Sequence, residues 1–451
     1  MSFKVSTAKA SIAPTLTTNP FMAGYGTQGQ PRVATSSRPY DEPLYARCVI
    51  LWDGANPNAI ITLDVLAIPR AMNQALRPRL LALAGWDNSD IMLQCTHTHN
   101  GPVLVDSAQP WITYGISDLS LVRSYTAWLQ DTIVELVRTA LAAPQTAVTL
   151  DYKVAAENIA LNRVGLPTVE TQVPVLTARQ SNGDPRAILF SYGCHPISAG
   201  YGEYFDGDFA AGACTYLEGD YPGCFAMFLQ GAAGDQNPLG VWSWALRDRY
   251  SALLGSTVST AAGSAGRAVT GPIQTTYQDV LLPLDIVTTA ANLAAARSIF
   301  VTRMANPAGE PAYYQRHAQT MISRIDSGNE TSTTTVPIPV QVWKLQGSPI
   351  LRIAMTGGEL VSGYAAYFRN RYGGANALII GGYANEVPCY IPANNFFPPY
   401  MNSGSYEGGW DTDAPGVAGG SMTVYAHLAH FKAGTGGVES TLIAAVTSLL
   451  G

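Results

Sequence analysis

Charge is scarce in this sequence. Asp, Glu, Lys and Arg make up 13% of its 451 residues, with 26 basic against 32 acidic side chains and a net charge of −6. No Lys/Arg run stands out, which removes the electrostatic footprint of a nucleic-acid binder. Long apolar runs are missing too. None approaches the roughly 18 residues of a transmembrane helix, so no membrane-spanning segment is expected. Residues 1–14 carry lysines but not the apolar stretch of a signal peptide, which predicts a cytoplasmic protein, or a secreted one whose leader has been removed. Six cysteines (48, 95, 194, 214, 224, 389) are too few for a disulfide scaffold, and no CxxC pair offers a thiolate zinc knuckle. Cys95, Cys194 and Cys389 stand beside polar residues of interest and read as small apolar packing. Histidine is rarer than its chemistry would suggest: there are six, and two lie one residue apart.

That pair defines the most informative stretch, residues 91–102. An apolar run with strand character empties into Thr96-His97-Thr98-His99-Asn100-Gly101-Pro102. Alternation along an extended backbone predicts His97 and His99 on one side, where they could share a metal, or one could ligate while the other acts as acid, base or oxyanion donor. Similar strand ends recur. The pattern predicts strands over 3–12, 44–52, 59–65, 91–95, 146–156, 186–192, 224–229, 337–345, 350–355 and 377–380. It predicts helices over 73–84, 118–143, 209–218, 246–267, 281–304, 359–372 and 438–450; residues 306–335 carry no clear period. Asp53-Gly54 signals a hairpin, and 59–95 reads as a parallel strand-helix-strand unit. His97, His195, Asp235, Glu359 and Asn385 each follow the end of a predicted strand, where open α/β sheets bind ligands. With no internal repeat, linker or composition break, the expectation is one large α/β domain over residues 1–451. Its mixed β-sheets should be flanked by helices, with a metal site at the C-terminal ends of strands.

His97, His195 and Glu359 are typical zinc ligands, and two histidines with one carboxylate leave a coordination position open for water. Each has a plainer reading, His195 as a satisfied buried histidine and Glu359 as an ordinary carboxylate at a helix start. Other motifs carry less. A metallo-β-lactamase HxHxDH site is excluded because Gly101-Pro102 stands where Asp-His should be. His427 and His430 sit three apart on a predicted helix. The glycines of 231–234 lack the GKS/T of a phosphate loop. Phe396, Phe397, Tyr400, Tyr406 and Trp410 could wall an apolar pocket.

Four stretches together resemble the neutral/alkaline non-lysosomal ceramidase family: residues 96–102, Cys194-His195-Pro196, residues 230–238, and Gly357-Gly358-Glu359 with residues 385–390. Weaker echoes lie at 41–47 and Asn162-Arg163. The resemblance implies one zinc per chain held by His97, His195, Glu359 and the phenol of Tyr390. It also implies that His99 and Arg163 face the substrate carbonyl or its oxyanion. The chain departs from the family in three places. Asn237 stands where ceramidases have a serine, Asn100 replaces another serine, and the chain ends before their C-terminal immunoglobulin-like domain. An amide cannot attack a carbonyl, so a serine-type acyl-enzyme at position 237 is excluded.

The expected function is zinc-dependent hydrolysis of a carboxylic amide, with zinc activating the attacking water, on a small molecule with an apolar part other than ceramide itself. His99, Arg163, Asp235 and Tyr383 are the candidate catalytic residues, His99 and Tyr383 being alternative proton donors. Two alternatives stay open. One is an esterase, lactonase or acyl-transferring or cyclising enzyme on the same zinc; the other is a non-catalytic zinc-binding protein. The sequence does not set the oligomeric state.

Overall fold

In a computed structural model the described residues are 3–25, 30–37, 43–107, 109–285, 289–305, 309, 311–328, 334–401, 405–409 and 427–451. In chain order the first elements are β1 (Phe3–Ser11), β2 (Tyr45–Asp53), β3 (Asn56–Leu63), α1 (Arg70–Leu81), β4 (Ile91–Cys95), α2 (Pro110–Tyr114), α3 (Ser120–Ala142) and β5 (Thr146–Ala156). Then follow β6 (Ala160–Asn162), β7 (Gln172–Arg179), β8 (Pro185–Tyr192), α4 (Asp208–Asp220), β9 (Phe225–Gln230), β10 (Gln236–Pro238) and α5 (Trp244–Ala262). The remainder is β11 (Arg267–Pro283), α6 (Ala290–Ala305), α7 (Ala312–Ser327), β12 (Thr335–Gly347), β13 (Leu351–Thr356), β14 (Glu359–Leu360), α8 (Ser362–Tyr372), β15 (Leu378–Gly381), β16 (Tyr390–Ile391) and α9 (Val438–Leu450).

Twelve strands form one mixed sheet ordered β15-β13-β12-β11-β5-β1-β2-β3-β4, with β7, β8 and β9 branching from β5. This is the expected α/β architecture. Three strand pairs in it are parallel, β3 with β4, β8 with β9 and β13 with β15. Each is joined through one helix, α1, α4 and α8 respectively, because parallel neighbours need a crossover. The second strands of these units, IMLQC, FAMFLQ and LIIG, are buried at every residue. Such continuous burial is why they read as apolar runs rather than alternating ones.

The wings of the sheet pack on each other. One core cluster joins Val5, Val49, Met92, Met227, Trp343 and Ile379. Helices α1 and α3 cover the β1–β4 wing, α4 and α5 cover β8–β9, and α8 and α9 cover the β11–β15 wing. The buried Gln94 side chain locks the ends of β4, β9 and β15 together. Gln94 Nε2 donates to the carbonyls of Gln230 and Gly382 at 3.0 and 2.8 Å, and Gln230 N donates to Gln94 Oε1 at 3.2 Å. All three crossover units therefore deliver their strand ends to one place.

The structure differs from expectation on the β11–β12 side. Residues 281–283 are strand rather than helix: Val280 and Leu282 are buried and Leu281 exposed, and β11 pairs antiparallel with β12 as far as Pro283. That 17-residue strand is rich in Gln and Thr, with an apolar face too thin to announce itself. Strand β7 carries no expectation at all, and α7 forms within the stretch without a clear period. His427 and His430 lie outside any helix, which removes the spacing argument for a metal pair. Among the described residues no helix is long and apolar enough to cross a membrane.

Candidate metal centre

Imidazoles and a carboxylate from three strand ends meet at one buried point. Glu359 Oε2 lies 3.1 Å from His97 Nε2 and 3.3 Å from His195 Nε2, and His99 Nε2 lies 3.2 Å from His97 Nε2. None of the four residues is more than 8% exposed. The ligating atoms of His97, His99 and His195 all fall within 4.8 Å of one another. His97 and His99 do converge, but not through strand alternation. Strand β4 stops at Cys95, and His97 takes a left-handed φ of 67°. Tyr383 and Asn385 are left-handed as well, at 63° and 65°. Such residues cost on the order of 1–3 kcal/mol each, and the surrounding bonds must hold them there.

Those bonds also fix the tautomers. His97 Nδ1 lies 2.6 Å from the Leu66 carbonyl, and His195 Nδ1 lies 2.7 and 3.0 Å from the carbonyls of Ala233 and Gln236. A carbonyl only accepts, so each Nδ1 carries the hydrogen and each Nε2 turns a lone pair to the centre. His99 is different: its Nδ1 is buried with no partner among the described residues. Burial pulls His195 down to about 4 and, helped by the neighbouring imidazoles, holds His99 well below its ordinary range. Burial pushes the Glu359 carboxyl up, and only a protonated His97 or His195 would pull it back below the usual carboxylate range. A buried carboxylate facing imidazole lone pairs needs a positive charge, which a proton on one ring or a metal cation can supply. His195 Nε2 makes no hydrogen bond to Glu359 despite the 3.3 Å approach, as two acceptors require. The donor set fits a divalent cation, with carbonyl-locked imidazoles of the kind that support metal ligands.

A second layer surrounds this group. Glu359 pairs in register with Tyr390 across β14 and β16, and Tyr383 Oη stands 3.5 Å from Glu359 Oε2. Burial raises both phenols well above their ordinary range, so they are neutral. Arg163 donates to Tyr390 Oη (3.1 Å), Gly234 O (2.9 Å), Asn237 Oδ1 (3.3 Å) and Glu407 Oε1 (2.7 Å). Asp235 engages Ser362 N and Oγ and Asn162 Nδ2, at 2.7, 2.9 and 2.7 Å, which makes it a bracket joining the β9 turn to the start of α8. Asn385 likewise bonds Leu93 N, Gln341 Oε1 and Arg77, away from the imidazoles. The glycine turn 231–234 serves close packing: a Cβ on Gly234 would meet the Glu359 carbonyl at 2.7 Å.

Of the aromatic wall, Phe396 and Phe397 are core, Tyr400 is 75% exposed, Tyr406 lies 5.4 Å ring to ring from Tyr390, and Trp410 falls outside the described residues. Cys95, Cys194 and Cys389 are buried, and burial raises their thiols, as packing residues require. Sequence reasoning missed Glu407, Gln94, Gln230, Tyr25 and Arg32. The first had one signal, a lone acid in a Gly-rich tract.

Fold and centre together define a class, an α/β protein with a His/Glu cluster at converging strand ends, and solved ceramidases share that fold. Neutral ceramidase from Pseudomonas aeruginosa aligns with TM-score 0.63 and 17% identity, over 87% of this chain and 69% of that one. A structure described as ceramidase complexed with C2 aligns with TM-score 0.65 and 17% identity, over 87% and 70%. No family model matches the chain, and no curated protein does.

Proposed function

We propose that this chain is a zinc-dependent hydrolase of carboxylic amides, with residues 1–451 forming one catalytic unit and one metal ion at the centre. The observation that carries this reading is the pair of imidazoles whose Nδ1 atoms are tied to carbonyls while their Nε2 atoms face Glu359 Oε2 at 3.1 and 3.3 Å. The shared fold of the ceramidases favours an amide bond. His97, His195 and Glu359 would hold the ion, with Tyr390 Oη as the fourth donor, oriented by Arg163. Zinc suits nitrogen and carboxylate donors, and when bound it supplies carbonyl polarisation and an ionisable water at neutral pH.

The chain's own residues account for the rest. His99, with no carbonyl tying its Nδ1, is available to move a proton or donate to a developing oxyanion. Arg163 brings a fixed positive charge beside Tyr390. Asn237 is engaged as an acceptor for Arg163 and offers no nucleophile, so water is the attacking group. Tyr383, next to Glu359, is the alternative donor to the leaving amine. An ester needs less help to its leaving group, and the same site would cleave one. The test is zinc stoichiometry by elemental analysis together with turnover of paired amide and ester substrates. About one zinc per chain with amide turnover that stops on chelation is expected. A zinc-free active enzyme would overturn the assignment, and zinc without any turnover would favour a binding protein.

A further inference from the structure

Beside the metal centre lies a second group of polar atoms, and among the described residues these have no hydrogen-bond partners. The Tyr25 hydroxyl, Nε and Nη1 of Arg32 and Nδ1 of His99 are buried without a hydrogen bond among the described residues. They belong together. Arg32 Cζ stands 5.1 Å from the Tyr25 ring, the Tyr25 and His99 rings are 5.0 Å apart, and Arg32 Nη2 bonds the His99 carbonyl. Close approach is possible because residue 24 is glycine. Its φ is 104°, and a Cβ there would come within 2.5 Å of His99 Cβ. Tyr201, 70% exposed, lies against Tyr25 at 4.0 Å and sets the group one ring below solvent.

A guanidinium in such a place ordinarily has an acid beside it. Arg32 has none among the described residues: its hydrogen bonds go to the carbonyls of Ala23 and His99. Burial pulls it down to about 10, with only tyrosines opposing. An uncompensated buried charge is costly, and unpaired donors add to the cost, so the arrangement is incomplete without an acceptor-rich anion. One guanidinium flanked by neutral tyrosines matches a single negative charge, hence a carboxylate rather than a dianionic phosphate.

We propose that Tyr25 and Arg32, packed against His99, form a subsite for a carboxylate on the substrate, which makes the preferred substrate an amide with a free acid, the N-acyl amino acid class. This deepens the amide-hydrolase reading and rests on it.

The test compares an N-acyl amino acid with its methyl ester at the carboxylate, in the zinc-loaded full chain. The wild type is expected to favour the free acid, through KM more than kcat. Arg32→Gln should reduce that preference by about 10- to 100-fold, the range for losing hydrogen bonds to a charged group. Arg32→Lys should recover only part of it, because a point charge replaces the planar fork. Tyr25→Phe should lower the preference several-fold with Arg32 intact. Taking the ratio of two substrates in one variant cancels losses from misfolding. Equal kcat/KM for acid and ester in the wild type, or an Arg32→Gln ratio unchanged from wild type, would overturn the subsite while leaving amide hydrolysis standing. If no amide is turned over, calorimetric titration with the N-acyl amino acid still decides. Binding that weakens in Arg32→Gln supports the carboxylate subsite, and no binding to wild type rejects it.

Discussion

Glu359→Gln separates a metal centre from a structural ion pair, because the two readings give it opposite signs. In the metal-free protein Glu359 is a fully buried carboxylate between two imidazoles. If it exists to pair with a protonated histidine, removing its charge breaks a buried salt bridge at about 3–5 kcal/mol. If it exists to meet a cation, the metal-free site is frustrated, and an amide relieves it. Gln Nε2 can donate to the lone pair of His195 or His97, exchanging an acceptor–acceptor contact for a hydrogen bond of about 1 kcal/mol. It also removes a poorly compensated charge, for a total of about 1–3 kcal/mol.

Unfolding entropy near 2.1 cal/mol/K per residue gives about 1 kcal/mol/K for a chain of this length, so a kilocalorie moves Tm by about 1 °C. The metal-free variant should therefore melt about 1–3 °C above metal-free wild type in scanning calorimetry with chelator. Adding zinc to 100 times Kd should raise wild type by about 2.7 kcal/mol, or about 3 °C, and the variant by much less. A metal-free Tm lowered by about 3–5 °C would refute the reasoning and make the cluster a salt bridge.

Four further outcomes are expected. His195→Ala should lose most of its zinc by elemental analysis, since two carbonyls aim that ring at the centre; full occupancy would remove it from the ligand set. His99→Ala should keep zinc and fold while kcat/KM falls about 10²–10³-fold, the usual loss for one oxyanion donor; loss of zinc would make His99 a third nitrogen ligand. Asn237→Ser should give no gain in rate and no acylated side chain by mass spectrometry during turnover, because Arg163 holds that position. Gln94→Met should lower Tm by about 1–3 °C, the cost of stranding the Gln230 and Gly382 carbonyls; an unchanged Tm would mean the strand ends are held by other bonds.

How much of this was legible in the sequence follows from where each residue sits. His97, His195 and Glu359 could be picked out because each follows a short apolar strand, and burial on both faces makes such strands unmistakable. Their convergence was not legible, since it depends on three crossovers stacking their strand ends through Gln94 and Gln230. A glutamine in an apolar run reads as a blemish until its partners are known. Strand alternation brought His97 and His99 together for the wrong reason: the left-handed turn at His97 does it, and positive φ is too rare outside glycine, even for histidine, to be read from the sequence. Strand β11 escaped because its Gln/Thr composition has neither the helical nor the alternating apolar period. Arg32 and Glu407 are the deeper case. Each is a single charge in a loop of glycines and polar residues, where a solvated surface is the ordinary reading. What distinguishes them is burial imposed by distant segments: Glu407 is drawn under Arg163, and Arg32 is drawn beneath Tyr25 against His99. Chemistry carried on strand ends announces itself through the strands. Chemistry carried on loops is set by what packs over them, and for Arg32 that cover leaves a charge whose partner the substrate must bring.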